Sequence, residues 1–230
     1  MQIKAISLDL DDTLWPIAPI VLRAEQRLHD WLEQHCPAVA QAYPVAQMRL
    51  LRDRIALENP HLAHDFTAQR KLCLGAALNP HGYGEDMVEA AFDAFYAARN
   101  EVELYADALP ALQRLSARVP LISLSNGNAD LGRIGLRHLF ADCVTAREFG
   151  QAKPAPEIFL EACRRLDLAP ASVLHVGDDP LLDVHGARTA GLPCAWLNRH
   201  GTAWQQAQRP DLEFVDLTEL ADWLDYKLAA

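Results

Sequence analysis

Residues 3–13 read Ile3-Lys4-Ala5-Ile6-Ser7-Leu8-Asp9-Leu10-Asp11-Asp12-Thr13. The mostly apolar run 3–8 has the length and composition of a buried strand. It ends on two carboxylates, Asp9 and Asp11, two residues apart. A buried charge without a partner is costly, so such a pair at the mouth of a strand implies either a solvated turn or a chemical use. The stretch taken alone leaves both readings open.

The pattern changes on the C-terminal side. Ile17, Ile20, Val21, Ala24, Leu28, Trp31 and Leu32 recur at three- and four-residue spacing, which predicts a helix. Pro16 and Pro19 mark its entry and Pro37 lies just beyond its end. Further helices are predicted near 45–58, 65–78 and 85–99, separated by Asn59-Pro60, Asn79-Pro80 and the pair Gly82/Gly84. No strand pattern occurs between Trp15 and about Leu104.

The second half alternates. Helices are predicted near 108–118, 129–138, 155–166, 180–190 and 217–228. Strands are predicted near 121–124, 142–145, 173–176, 194–197 and 213–215, and the polar stretch 198–211 reads as a loop. This alternation predicts a Rossmann-like, doubly wound parallel sheet in the α/β class. The core is therefore discontinuous, residues 1–14 plus 105–230, and residues 15–104 form an all-helical insert with a four-helix-like pattern. The insert leaves the core just after the acidic stretch, which predicts a position over the C-terminal strand ends, where open α/β folds bind ligands.

Composition narrows the function classes. The chain has 230 residues, half of them hydrophobic and 23% charged, with a formal net charge of −10. That balance disfavours a broad nucleic-acid surface, which rests on clustered Lys and Arg. Cys36, Cys73, Cys143, Cys163 and Cys194 form no Cys-x-x-Cys pair and read as small buried hydrophobes in a reducing compartment. No basic segment followed by a long apolar run suggests a signal peptide, and no apolar stretch approaches the ~20 residues of a membrane span. The expectation is a cytoplasmic protein without a membrane partner.

Four patches fall at predicted strand ends or helix entries: Asp9-x-Asp11-x-Thr13, Ser125-Asn126-Gly127, Lys153-Pro154-Ala155-Pro156-Glu157 and Gly177-Asp178-Asp179-x-x-x-Asp183. Asp9, Asp11 and Asp178 offer hard oxygen ligands with no Cys or His cluster beside them, a set suited to Mg²⁺ rather than zinc or copper. Lys153 adds a point charge for an anion, Ser125 adds a hydroxyl, and the Asn126-Gly127 turn can aim backbone N–H groups at phosphate oxygens. Together they read as a phosphoryl cradle, since phosphoryl transfer needs chiefly positioning and charge stabilisation. One of the paired aspartates is then a nucleophile forming an aspartyl-phosphate. The other is the acid/base for the leaving oxygen and the attacking water.

The four patches, in this order, resemble the haloacid dehalogenase superfamily of hydrolases, and the helical insert between the first and second resembles its C1-type cap. The resemblance implies Asp9 as nucleophile and Mg²⁺ ligand. It implies Asp11 as general acid/base, lending its backbone carbonyl to Mg²⁺, and Asp178 as the third protein ligand. Ser125 and Lys153 would hold the phosphoryl group, Asp183 would organise the acidic cluster or its metal water, and Thr13 would shape the turn. Asp12 falls at a variable position and reads as solvated or as a local turn cap. The dehalogenase branch lacks an aspartate at the Asp11 position, because a leaving halide needs no proton, so a phosphatase is expected.

A narrower likeness is carried by Asp9–Trp15, Pro19–Glu25, Ser125–Ala129 and Leu174–Asp179. These resemble bacterial phosphatases acting on flavin mononucleotide (FMN) and on 5-amino-6-(5-phosphoribitylamino)uracil, a riboflavin precursor. It implies a small phosphorylated metabolite as partner; a monomer or homodimer is expected. Phosphoglycolate or a sugar phosphate is the alternative substrate, followed by haloacid dehalogenation or non-enzymatic phosphate binding. Trp15 either stacks on a flat isoalloxazine or uracil ring or packs the hinge, and Arg70 is the cap cation chosen as a substrate contact. The nine histidines show no shared metal-ligand spacing, and His175 is expected inside the sheet.

Overall fold

A computed structural model describes residues 2–229. Six strands, β1 (Ala5–Leu8), β2 (Leu121–Ser125), β3 (Asp142–Thr145), β4 (Val173–Gly177), β5 (Cys194–Leu197) and β6 (Leu212–Phe214), form one sheet in the order β3-β2-β1-β4-β5-β6. Every pairing is parallel. The chain winds outward from β1 in both directions, so the order reverses at β1 and β4, the place where such sheets open a crevice at their carboxyl ends.

All residues of β1, β2 and β4 are buried, which is why these strands are near-continuous apolar runs. Two of the polar interruptions, Ser7 and His175, pair with each other. Ser7 lies opposite His175 in the β1–β4 register, and His175 Nδ1 sits 3.0 Å from Ser7 Oγ. Helices 156–165, 108–116 and 217–229 cover the sheet, and the core includes Ile122, Leu124, Val144, Ile158, Phe159 and Trp196.

Contacts divide the chain into two units. The α/β unit comprises residues 1–16, 103–127 and 131–230; the helical unit comprises 17–102 and 128–130. The helical unit is built from Ile17–His35, Pro37–Ala42, Val45–Glu58, Phe66–Leu78 and Glu85–Arg99. Leu28, Leu32, Leu74, Leu78, Phe92 and Phe95 are among the residues of its core.

The structure departs from the sequence reading at several points, among them an unpredicted short helix, Ala146–Phe149. Pro37 does not simply end a helix; it starts a short one, Pro37–Ala42, as a proline at a helix N-terminus can. The helix predicted over 129–138 is cut to Leu131–Ile134 because Gly135 turns the chain at φ +88°. The helix predicted over 180–190 opens as a wide turn with i→i+5 spacing over Pro180–His185 before continuing as Gly186–Thr189. No described helix is long and apolar enough to cross a membrane.

Candidate active site

The carboxyl ends of β1 and β4 deliver the acidic residues. Asp9 follows β1 directly, and its backbone N–H donates to Val176 O of β4 at 3.0 Å. Leu10–Trp15 then forms a tight loop. Leu14 N donates to Leu10 O at 2.7 Å, Asp12 N donates to Trp15 O at 2.8 Å, and Asp12 takes a left-handed φ of 59°, a conformation aspartate tolerates better than most residues. The loop therefore folds back on itself and separates the Asp9 and Asp11 side chains.

Lys153 lies at the centre of the site. Its side chain is buried and its ammonium donates to Asp9 Oδ1 at 2.5 Å and to Asp183 Oδ1 at 2.6 Å. Asn126 holds the backbone of Lys153 from both sides: Asn126 Nδ2 donates to Lys153 O at 3.0 Å, and Lys153 N donates to Asn126 Oδ1 at 2.7 Å. The Asn126 side chain thus positions the lysine, and only its backbone is left to face a phosphate. Gly127 N donates to Ser125 Oγ at 3.0 Å, so this N–H, expected to aim at phosphate, instead orients the buried Ser125 hydroxyl.

Asp183 is held at three points. Besides Lys153, Oδ1 meets His175 Nε2 at 3.1 Å, and Oδ2 accepts from Asp179 N at 3.0 Å. A carboxylate only accepts, so His175 carries its proton on Nε2 and Nδ1 accepts from the Ser7 hydroxyl. Burial lowers the His175 pKa, which keeps the ring neutral and this tautomer in place. The turn that brings Asp183 back is capped by Asp179, whose Oδ1 accepts from Leu181 N at 2.7 Å and Leu182 N at 2.8 Å. Gly177 makes room for it: a Cβ at residue 177 would sit 2.2 Å from Asp183 Cγ.

Asp9, Asp178 and Asp183 each present an oxygen within 4.8 Å of the others. Three carboxylates crowd together with one ammonium bonded to two of them, and the directions of their pKa shifts show the imbalance. Burial pushes Asp9 up, Lys153 pulls it down, and Asp183 and Asp178 push it up again, leaving it well above the ordinary carboxylate range. Asp178 is pushed up to about 7 by burial, with Asp183 and Asp12 adding to the effect. Burial would also raise Asp183, but Lys153 and His175 hold it well below the ordinary value. The cluster is short of positive charge, and its donors are all hard oxygens, so a divalent cation fits both its charge and its chemistry.

The α/β unit thus brings together Asp9, Asp11, Thr13, Trp15, Ser125, Asn126, Lys153, Asp178 and Asp183. Asp11 stands outside the three-carboxylate group, and its Oδ1 accepts from Trp15 Nε1 at 2.8 Å. Trp15 is fully buried, so the ring-stacking alternative is corrected: it has no face to offer a ligand, and it packs the loop and holds Asp11. Thr13 Oγ1 donates to Asp178 Oδ1 at 3.2 Å. Arg70 belongs to the helical unit, where its guanidinium lies 4.1 Å over the Phe95 ring and Nη2 is 3.8 Å from Glu25 Oε1.

Two participants escaped the sequence reading. His175 fixes Asp183 from inside the sheet, and a lone histidine in an apolar strand was its only signal. Arg199, in the stretch read as a plain polar loop, donates to Thr13 O through Nε at 3.2 Å and Nη2 at 2.9 Å.

A protein-family model described as haloacid dehalogenase-like hydrolase matches residues 3–191. The chain is 27% identical over 227 residues to the 5-amino-6-(5-phospho-D-ribitylamino)uracil phosphatase YigB of Escherichia coli K12, covering 95% of each chain. It is 29% identical over 209 residues to a glyceraldehyde 3-phosphate phosphatase of Methanopyrus kandleri, covering 86% of this chain and 85% of that one. Among solved structures, one described as a 2-haloacid dehalogenase from Pseudomonas syringae pv. Tomato superposes with a TM-score of 0.91 at 36% identity, covering 98% of this chain and all of that one.

Proposed function

The chain belongs to the haloacid dehalogenase-like hydrolases, and from that premise we propose that it is a Mg²⁺-dependent phosphomonoesterase acting through an aspartyl-phosphate on Asp9. Asp9 and Asp178, with the backbone carbonyl of Asp11, would hold the metal. Asp183 has both oxygens engaged by Lys153, His175 and Asp179 and therefore organises the cluster. Bound Mg²⁺ supplies charge that neutralises the phosphoryl oxygens and the crowded carboxylates.

The Asp9 carboxylate attacks phosphorus, the new O–P bond forms as the ester O–P bond breaks, and Asp11 gives its proton to the departing oxygen. Asp11 then takes a proton from a water that attacks the same phosphorus, which releases Asp9 and inorganic phosphate. Lys153, 2.5 Å from Asp9, keeps the nucleophile aimed and faces the incoming phosphate. Ser125 holds a phosphoryl oxygen.

The observation that carries this reading is Asp11 in the grip of the Trp15 indole at 2.8 Å, a carboxyl apart from the acidic cluster and fixed in place for proton transfer. Flavin mononucleotide and 5-amino-6-(5-phosphoribitylamino)uracil are the first substrates to test, supported by the full-length similarity to YigB. Phosphoglycolate and sugar phosphates come next. The 36% identity to a structure described as a 2-haloacid dehalogenase favours halide displacement as the second reading, and Asp11, superfluous when halide leaves, argues against it.

The test is a panel of these phosphates and 2-haloacids ranked by kcat/KM with Mg²⁺ present, together with Asp9→Asn. Phosphate release by the wild type and none by a folded Asp9→Asn are expected. Halide release exceeding phosphate release, or substantial turnover by Asp9→Asn, refutes the reading.

A further inference from the structure

The loop after β5 carries a cation whose contacts converge on the site. Arg199 is about nine-tenths buried and its guanidinium is engaged along two edges. Nε and Nη2 fork onto the carbonyl oxygen of Thr13 at 3.2 and 2.9 Å. Nη1 and Nη2 fork onto the two carboxylate oxygens of Asp107 at 3.0 and 2.9 Å. Its flat face lies 4.0 Å over the ring of Tyr105. Asp107 in turn accepts from Leu217 N at 2.9 Å, and Tyr105 N donates to Leu14 O at 3.0 Å. One side chain therefore joins the loop after β1, the segment 105–107 that re-enters the α/β unit, and, through Asp107, the start of the C-terminal helix.

The Thr13 contact leads further. The same residue whose carbonyl Arg199 grips turns its hydroxyl to Asp178 Oδ1 at 3.2 Å. Asp178 is fixed from its other side by Trp196 Nε1, which donates to Asp178 O at 2.7 Å. A cavity of about 220 Å³ opens beside them, lined by Asp12, Asp178, Trp196, Arg199, His200 and Thr202. Only a planar, five-donor guanidinium can make both forks and the stack at once; an ammonium cannot.

We propose that Arg199 is a positioning residue for the metal site: by clamping the Thr13 carbonyl against Asp107 and Tyr105, it holds the Thr13 hydroxyl where it orients Asp178. The proposal rests on the reading of Asp178 as a Mg²⁺ ligand given above. Residues that orient metal ligands typically change metal affinity by about 10–100-fold when lost, and that range is the expected effect here.

The experiment measures Mg²⁺ affinity of the full chain by isothermal titration calorimetry, with melting temperature and kcat recorded alongside. Wild type is compared with Arg199→Ala, Arg199→Lys, Thr13→Val and the double variant Arg199→Lys/Thr13→Val; Arg188→Ala, whose residue pairs with Asp211 at the surface, is the control. Arg199→Ala and Arg199→Lys are each expected to weaken Mg²⁺ binding at least tenfold, as is Thr13→Val. The double variant is expected to be no weaker than the worse single one, because both act along one path. Should Arg199→Ala fail to fold, Arg199→Lys and Thr13→Val carry the test. A folded Arg199→Lys with wild-type Mg²⁺ affinity, a loss of melting temperature alone, or additive losses in the double variant overturns the proposal. A wild type that binds no Mg²⁺ overturns the metal reading and this proposal together, whereas binding unchanged in the variants overturns only the role of Arg199.

Discussion

Gly177→Ala tests the tightest packing in the site. The added methyl would stand 2.2 Å from Asp183 Cγ, 2.3 Å from Oδ2 and 2.7 Å from Cβ, against a comfortable carbon–carbon separation of roughly 3.5–4.0 Å. The carboxylate has nowhere easy to go. Lys153 holds it at 2.6 Å, His175 at 3.1 Å and Asp179 N at 3.0 Å. Either β4 shifts, at the roughly 1–3 kcal/mol of an overpacked interior, or Asp183 swings away from Lys153. That alternative forfeits a charge-assisted hydrogen bond of about 1.5–3 kcal/mol. The two routes compete rather than add, so the cheaper one sets the loss at about 1–3 kcal/mol. For a chain of this size that lowers Tm by roughly 2–12 °C. Calorimetric melting and phosphate release from p-nitrophenyl phosphate read it, and activity should fall at least tenfold because Lys153 is displaced with its partner. In an Asp183→Gly background the whole clashing side chain, Cβ included, is gone, and Gly177→Ala should lower Tm by no more than about 1–2 °C further. An unchanged Tm in the single variant, or the same loss in both backgrounds, shows that Gly177 is not there to make room for Asp183.

Trp15→Phe removes the indole N–H from Asp11 and, at a fully buried position, also leaves a cavity that lowers the Tm; kcat is expected to fall about tenfold, a part of the 10²–10⁴ that a positioned acid/base contributes. Steady-state kinetics check this, and a wild-type kcat would mean that Asp11 needs no anchor. Lys153→Met leaves Asp9 and Asp183 facing each other without a cation and should destabilise the chain by about 3–5 kcal/mol, read by urea unfolding; a smaller loss than a surface pair gives would count against a buried ion triad. Asp107 is raised by burial, but the Arg199 guanidinium and the Leu217 N–H outweigh this and hold it below the ordinary value. Its contribution to stability is therefore present above the unfolded-state value of about 3.9 and lost as pH falls through the lower folded-state value. The Tm gap between wild type and Asp107→Asn should narrow on acidification from pH 7 to pH 3, and a gap constant over that range refutes the linkage.

The fold was legible because its signals are local. A fully buried strand must be apolar along its length, so β1, β2, β4 and β5 stood out, and strand–helix alternation sufficed to predict a parallel sheet. Short apolar runs say little about the turn chemistry between them, which is why the break at Gly135 and the wide turn at Pro180–His185 were missed. The site was legible where a functional group ends a strand, as Ser125 does, or follows one directly, as Asp9 and Asp178 do. Arg199 was opaque because its meaning lies wholly in partners far along the chain: its contacts with Thr13 span 186 residues. The Trp15 indole had two plausible uses in sequence, and only its burial decides between them.

The placement of β1 between β2 and β4 also has a temporal side. During synthesis β1 leaves the ribosome first, yet both of its pairing edges wait for strands that come later. At about 5–20 residues per second, β4 follows β1 by on the order of 10–30 s. Until β2 emerges an apolar strand with two open edges, and until β4 emerges one with a single open edge, must be kept from pairing elsewhere, the kind of segment that drives aggregation. Slower growth at reduced temperature, or a chaperone that shelters β1, should therefore raise the yield of active protein.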